Sequence, residues 1–112
     1  MKRHPQYTNL LLFDILDKEE GIVHFSTTRM GGVSNGPYSS FNMGNFSDDN
    51  PLNIFQNRNI LARMFYMDIS KFVIPHQTHG TKVLKIDEEF MNLDSASLIE
   101  TLYGIDATIT DI

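Results

Sequence analysis

The stretch from residue 30 to residue 49 constrains this chain more than any other. It shows little hydrophobic periodicity, and Gly31, Gly32, Gly36, Pro37 and Gly44 alternate there with Ser and Asn. That composition makes a loop of roughly 20 residues. Loops this long within a compact domain are functional or disordered. Tyr38, Phe41, Met43 and Phe46 offer anchors against disorder, so the loop reads as ordered and functional.

Regular structure is predicted on either side of it. Residues 10–16 are rich in large apolar side chains and close in the charged turn Asp17-Lys18-Glu19-Glu20-Gly21. Residues 22–28 are β-branched and aromatic, and two strands joined by a five-residue turn ending in Gly make a hairpin. After the loop, Asp48, Asp49 or Asn50 can cap a helix and Pro51 suits its first position. Apolar residues at Leu52, Phe55, Leu61, Ala62, Phe65 and Tyr66 extend that helix over 51–66. Further strands are expected at 72–74, ending at Pro75, then at 82–86 and 105–110. Residues 87–97 read as a solvated acidic loop, and 98–103 fit no single assignment. The fold class is α/β, a mixed sheet with flanking helices.

Length and charge narrow the function. The chain has 112 residues, which suits one domain, and a formal net charge of −5. A pI near 5.1 argues against binding a phosphate backbone as the main task, since nucleic-acid domains normally show a basic face, so no nucleic-acid partner is expected. It contains no Cys, which removes disulfides, a thiolate nucleophile and any Cys-based zinc knuckle. Met1-Lys2-Arg3-His4 is basic, but the apolar run at 10–13 ends at Asp14. That run is too short for a secretory signal or a membrane span. A cytoplasmic protein without a membrane partner is expected.

Two segments carry candidate chemistry. In Thr27-Thr28-Arg29-Met30-Gly31-Gly32-Val33-Ser34, an Arg followed by small residues can form an anion pocket from a guanidinium fork and backbone N–H groups. It can equally be a flexible loop with one surface Arg. In Pro75-His76-Gln77-Thr78-His79-Gly80, two imidazoles three residues apart could ligate a metal or move protons. A catalytic zinc takes about three protein ligands, and this segment offers at most two. In extended backbone His76 and His79 have opposite parity; otherwise one ends a strand and the other is solvated. His24 reads as a hydrogen-bonded strand residue, Arg58 as a surface or ion-pairing residue, and Asp106 as a turn former.

In order, these pieces resemble a family signature. Phe25-Ser26-Thr27-Thr28-Arg29-Met30-Gly31-Gly32-Val33-Ser34, then Gly36-Pro37-Tyr38, then Ser40-Phe41-Asn42-Met43-Gly44 is similar to the F-S-T-R-x-G-G-V-S-x-G-P-Y-x-S-L-N-L-G pattern of laccase-domain proteins. The likeness continues through Asp48-Asp49, Ile54, Asn57-Arg58, Gln77-x-His79-Gly80, Val83 and Asp106-Ala107-x-x-Thr110. This family is also described as polyphenol oxidase-like, as peptidoglycan editing factor and as purine nucleoside phosphorylase. The resemblance implies a central mixed sheet with helical layers, distantly like the cytotoxic necrotizing factor catalytic domain.

The implied activity is phosphorolysis of adenosine or inosine, with adenosine deamination as a side activity. Its partners are a purine nucleoside and phosphate, and its metal is zinc. Copper, with oxidation of phenols, is the alternative. By the same resemblance His79 is the first of three metal ligands and, with Arg29, catalytic. Arg29, Gly31, Gly32 and Asn42 are implied to bind substrate and phosphate. Family members continue into A-D-C and H-A-G-W-R segments that supply the other ligands, whereas this chain stops at Asp111-Ile112. Residues 1–112 are therefore expected to be a single partial domain, the N-terminal portion. A non-catalytic interaction module is the alternative, and self-association or pairing with a C-terminal half is expected to cover its apolar surface.

Overall fold

Leu10 and Leu12 point one way and Leu11 the other, and the strand they form organises the first half of the chain. The computed structural model describes residues 1–112. Strand β2 (Leu10–Leu12) lies between β1 (Lys2–Arg3) and β3 (Ser26–Thr27) in an antiparallel sheet. Lys2 sits opposite Leu12, and Leu10 opposite Thr27. Leu10 and Leu12 are buried and Leu11 half-buried, the period-2 pattern of a strand covered on one face.

The expected strand over 10–16 ends early. Phe13 leads into one helical turn, α1 (Asp14–Asp17), where the chain turns charged and its carboxylates pair with the N-terminal amine and with Lys2 of β1. Lys2 Nζ meets Asp17 Oδ2 at 2.5 Å, and the N-terminal amine meets Asp14 Oδ2 at 3.2 Å. The Phe13 N–H donates to His24 Nε2 at 3.0 Å, a side chain standing where a strand carbonyl would be. The two strands pair antiparallel as expected, but across a longer connection than a five-residue turn.

Helix α2 (Pro51–Met64) begins as the sequence predicts: Asn50 Oδ1 accepts from Leu52 N at 3.0 Å, with Pro51 next in line. It ends two residues earlier than expected, where Tyr66 turns to φ 55°. Its buried face is Ile54, Asn57, Leu61 and Ala62, while Leu52 and Phe55 from the expected stripe stand exposed. Phe25, beside β3, stacks on Phe65 with ring centroids 4.6 Å apart.

The chain forms two compact units, Met1–Ile69 and Ser70–Ile112. The second is a parallel strand pair, β4 (Val83–Ile86) and β5 (Ala107–Thr110), joined through two helices. Parallel strands need a crossover, and α3 (Glu88–Met91) and α4 (Ser95–Leu102) supply it. The acidic loop expected over 87–97 is thus mostly helical. Asp87 accepts from Phe90 N and Asp94 from Ser97 N, each at 2.8 Å, so these carboxylates are helix caps. Residues 72–74 are not a strand; His76 instead makes an isolated parallel bridge with Tyr103. The α/β class holds, with the strands divided between an antiparallel and a parallel sheet. No helix is long and apolar enough to cross a membrane.

Ile54, at 2% exposure, and Leu52, at 69%, test which face of α2 carries the packing. Ile54→Ala is expected to lower unfolding free energy by about 2–4 kcal/mol, and Leu52→Ala by less than about 0.5, in urea titrations.

Candidate functional site

The long loop is ordered because a polar side chain on the buried face of α2 holds it. Asn57 is fully buried, between Ile54 one turn before and Leu61 one turn after. Its Oδ1 accepts from Val33 N at 2.8 Å, and its Nδ2 donates to Ser34 Oγ at 2.9 Å and to the Asn42 carbonyl at 2.7 Å. One carboxamide therefore joins both limbs of the loop to the helix. Next to it, Arg58 donates through Nε and Nη2 to the Met43 carbonyl at 2.9 and 2.7 Å. Burial pushes the Arg58 pKa down, although an arginine remains charged. The expectation of a surface or ion-pairing Arg58 is corrected: it grips a loop carbonyl.

Ser34 Oγ passes the network on to Asp49 Oδ2 at 2.5 Å, and Asn42 Nδ2 reaches the same oxygen at 3.2 Å. The hydrogen bond from Ser34, helped by Asn42 and the Asn50 N–H, holds the Asp49 carboxyl below the usual range against the opposing effect of desolvation. Asn42 also donates to Ser47 Oγ at 2.9 Å and accepts from Gly44 N at 3.2 Å.

Arg29 sits on the opposite limb. Its carbonyl accepts from Ser40 N, Phe41 N and Ser40 Oγ at 2.7–3.0 Å, and its Nε donates to the Ser39 carbonyl at 3.0 Å. The Nη1 and Nη2 groups make no hydrogen bond within the chain. Arg29 and Asn42 both line an open cleft of about 460 Å³, with Thr28, Tyr38 and Phe41 among its other walls. Gly31 and Gly32 lie outside that lining. Gly31 has φ 94°, and a Cβ there would stand 2.5 Å from Asn9 Nδ2. A Cβ on Gly32 would meet the Ser40 carbonyl oxygen and come within 2.6 Å of Asn57 Oδ1 and Phe41 Cα. The Gly32 N–H donates to Ser40 Oγ at 3.1 Å. The missing side chains thus let Asn9 close on Gly31, and Ser40, Phe41 and Asn57 close on Gly32.

In the second unit, the exposed residue His79 adopts φ 61°. Asp106 Oδ1 accepts from Thr78 N and His79 N at 3.0 Å each, and Asp106 Oδ2 accepts from Gly80 N. His76 is engaged elsewhere. Its N–H donates to the Leu102 carbonyl and its carbonyl accepts from Gly104 N, both at 3.0 Å, while its ring meets Tyr103 edge-on. No three His, Asp or Glu side chains of the chain are grouped to hold a metal ion. Asn57 lay off the stripe expected from Leu52 and Phe55 and entered the sequence reading only through the family signature; the link from Asp106 to residue 79 had no local signal.

Two outcomes test the loop. Asn57→Ala leaves the Val33 N–H and its neighbours without their buried partner and should cost roughly 2–3 kcal/mol in thermal or urea unfolding. Asp49 has its pKa lowered on folding, so its contribution is present above the ordinary carboxyl value of 3.8 and lost as pH falls below it. The stability gap between wild type and Asp49→Asn should therefore narrow as pH is lowered from about 6 to about 3.

Comparison with known proteins places this geometry among related chains. A family model described as multi-copper polyphenol oxidoreductase laccase matches residues 23–112. A purine nucleoside phosphorylase of Bacteroides thetaiotaomicron is 37% identical over 101 residues, covering 90% of this chain and 37% of that protein. A purine nucleoside phosphorylase of Staphylococcus aureus is 38% identical over 109 residues, covering 97% of this chain and 40% of its own length. Among solved structures, YfiH of Bacillus licheniformis superposes with a TM-score of 0.67 at 28% identity, over 79% of this chain and 33% of that one. YlmD of Geobacillus stearothermophilus gives 0.63 at 28% identity, over 77% and 32%. The chain thus spans about two-fifths of the length of the relatives it matches.

Proposed function

The chain belongs to the multi-copper polyphenol oxidoreductase laccase family, and on that premise we propose that it is the N-terminal part of a purine nucleoside phosphorylase. The observation that carries this reading is that relatives of that name align along 90% and 97% of the chain. Because it spans about two-fifths of their length, the activity is proposed for a family-length protein that contains these residues, with 1–112 as part of one domain.

In the proposed reaction a phosphate oxygen forms a bond to C1′ of adenosine or inosine. The glycosidic C–N bond breaks with its electron pair on the base, which takes up a proton. The products are ribose 1-phosphate and the free purine. Arg29 presents its Nη1 and Nη2 hydrogens to the phosphate as a fork fixed by the Nε bond to Ser39. Tyr38 and Phe41 give the same cleft aromatic walls. The proposal gives Gly31, Gly32 and Asn42 the task of shaping the cleft, since the Gly32 N–H and the Asn42 amide are already engaged within the loop.

The family description names copper, and we assign zinc as the metal of the complete enzyme, with His79 as one ligand. The donors on this chain fit one corner of such a site and no more: His79 is exposed, and no cluster of three donors surrounds it. No step is therefore derived through the metal.

Family-length protein incubated with adenosine should release adenine only when phosphate is supplied, as followed by chromatography. Arg29→Ala should raise KM for phosphate by about tenfold or more. Adenine release independent of phosphate would sink the phosphorylase reading. Inosine as the main product would replace it with deamination, and copper-dependent phenol oxidation with the oxidase. The 112-residue chain alone is expected to release no adenine.

A further inference from the structure

The segment 77–80 stands at the surface with all four residues exposed, so apolar packing does not hold its shape. Yet His79 keeps φ 61°, a left-handed backbone conformation unfavourable for a residue with a Cβ. A local force has to select it, and the carboxylate of Asp106 is placed to do so. Its two oxygens accept from three successive backbone N–H groups, those of Thr78, His79 and Gly80. Successive N–H groups converging on one negative charge make the kind of concavity in which protein backbones hold anions. Here the anion is covalently part of the chain.

The carboxylate is itself located. The Asp106 N–H donates to the Lys82 carbonyl at 3.0 Å, and its own carbonyl accepts from Gln77 Nε2 at 2.9 Å. Asp106 directly precedes β5, whose first residue, Ala107, pairs with Val83 at the start of β4. The sheet register thus delivers the charge to the turn. Gly80 is fitted around it, since a Cβ there would lie 2.9 Å from Asp106 Oδ2.

We propose that Asp106 is a positioning residue for His79: its carboxylate is the built-in anion of the nest formed by the N–H groups of Thr78, His79 and Gly80. That charge holds His79 left-handed and so fixes the direction in which the imidazole leaves the chain. The functional consequence rests on the reading of His79 as a metal ligand, whereas the conformational claim stands without it. A ligand ring must arrive with a defined orientation, and here the backbone supplies it.

The test uses the isotope-labelled 112-residue chain, reading amide hydrogen exchange at Thr78, His79 and Gly80 and the three-bond HN–Hα coupling of His79. In Asp106→Ala, exchange at the three amides should rise by roughly tenfold or more, and the coupling should move to an averaged value. The amides of Leu84 and Ile86 in β4 should not change. Sodium formate should restore both readouts, because a free carboxylate can enter the emptied nest, and sodium chloride of equal ionic strength should not. Asp106→Asn keeps the shape without the charge and should lie between wild type and Asp106→Ala.

Unchanged exchange in Asp106→Ala would overturn the proposal. So would losses that spread to β4 in both variants, or indifference to formate. In the family-length enzyme, Asp106→Asn should lower kcat while KM for phosphate stays constant. If His79→Ala leaves that enzyme fully active, the ligand reading falls, and the amide and formate data still decide whether Asp106 sets the conformation of residue 79.

Discussion

A carboxamide taken out of water must have its donors and its acceptor answered, and Asn57 is answered entirely by the loop it faces. Its three bonds reach Val33, Ser34 and Asn42, residues on both limbs of the 30–49 segment. Burying an amide without partners costs several times what a satisfied hydrogen bond contributes, so the loop and the helix are energetically one object. The absence of a side chain at Gly32 follows from the same packing, since a Cβ would come within 2.6 Å of Asn57 Oδ1. Ser34 and Asp49 extend the network to the residue before the helix cap. Through this chain of contacts the cleft that Arg29 and Asn42 line takes its shape from a side chain on the far side of the loop.

The acidity of the chain has a structural meaning that its net charge conceals. Asp49, Asp87, Asp94 and Asp106 all accept from backbone N–H groups, at a helix entry, at two helix caps and in the 78–80 turn. The Asp94 carboxyl is held below the usual range by the Ser97 N–H it accepts from, the signature of a charge used as an acceptor. A run of carboxylates near a solvated surface reads from sequence as charge for solubility. In this fold several of those charges replace partners that the ends of short helices and tight turns would otherwise lack.

What could be read from the sequence was what is decided within a few residues. The Asn50-Pro51 entry to α2 is local and stands as expected, and the strand expected from residue 10 starts there but stops at Leu12. The face of α2 was not legible, because Leu52 and Phe55 suit a buried stripe as well as Ile54 and Leu61 do. Packing chose the face that also carries Asn57. The strand expected at 72–74 failed because a β-branched, aromatic triplet is a strand only with a partner, and the bridging there begins at His76. For the site, the signature pointed to Arg29, Asn42 and His79 as candidates. It could not reveal that Asp106, 27 residues beyond His79, accepts that residue's N–H. Pairings at such separations are set by sheet register, which no local pattern encodes.

Both candidate groups are thus presented by polar constraint on surface backbone. The buried apolar set is small, with Leu10, Leu12, Phe41, Ile54, Leu61 and Ala62 in the first unit and Ile86 and Phe90 in the second. Two deeply buried apolar side chains give little packing with which to fix an exposed turn, so in the second unit the order of 77–80 depends on charge-assisted hydrogen bonds. Such bonds are directional and short-ranged, which suits holding one residue in an unfavourable conformation. They also compete with water, so their effect is local. Substitutions in the apolar set act on the stability of a whole unit, whereas those at Asp106 act on the conformation of the turn. That separation lets a small chain keep a histidine exposed and still hold its backbone in one conformation.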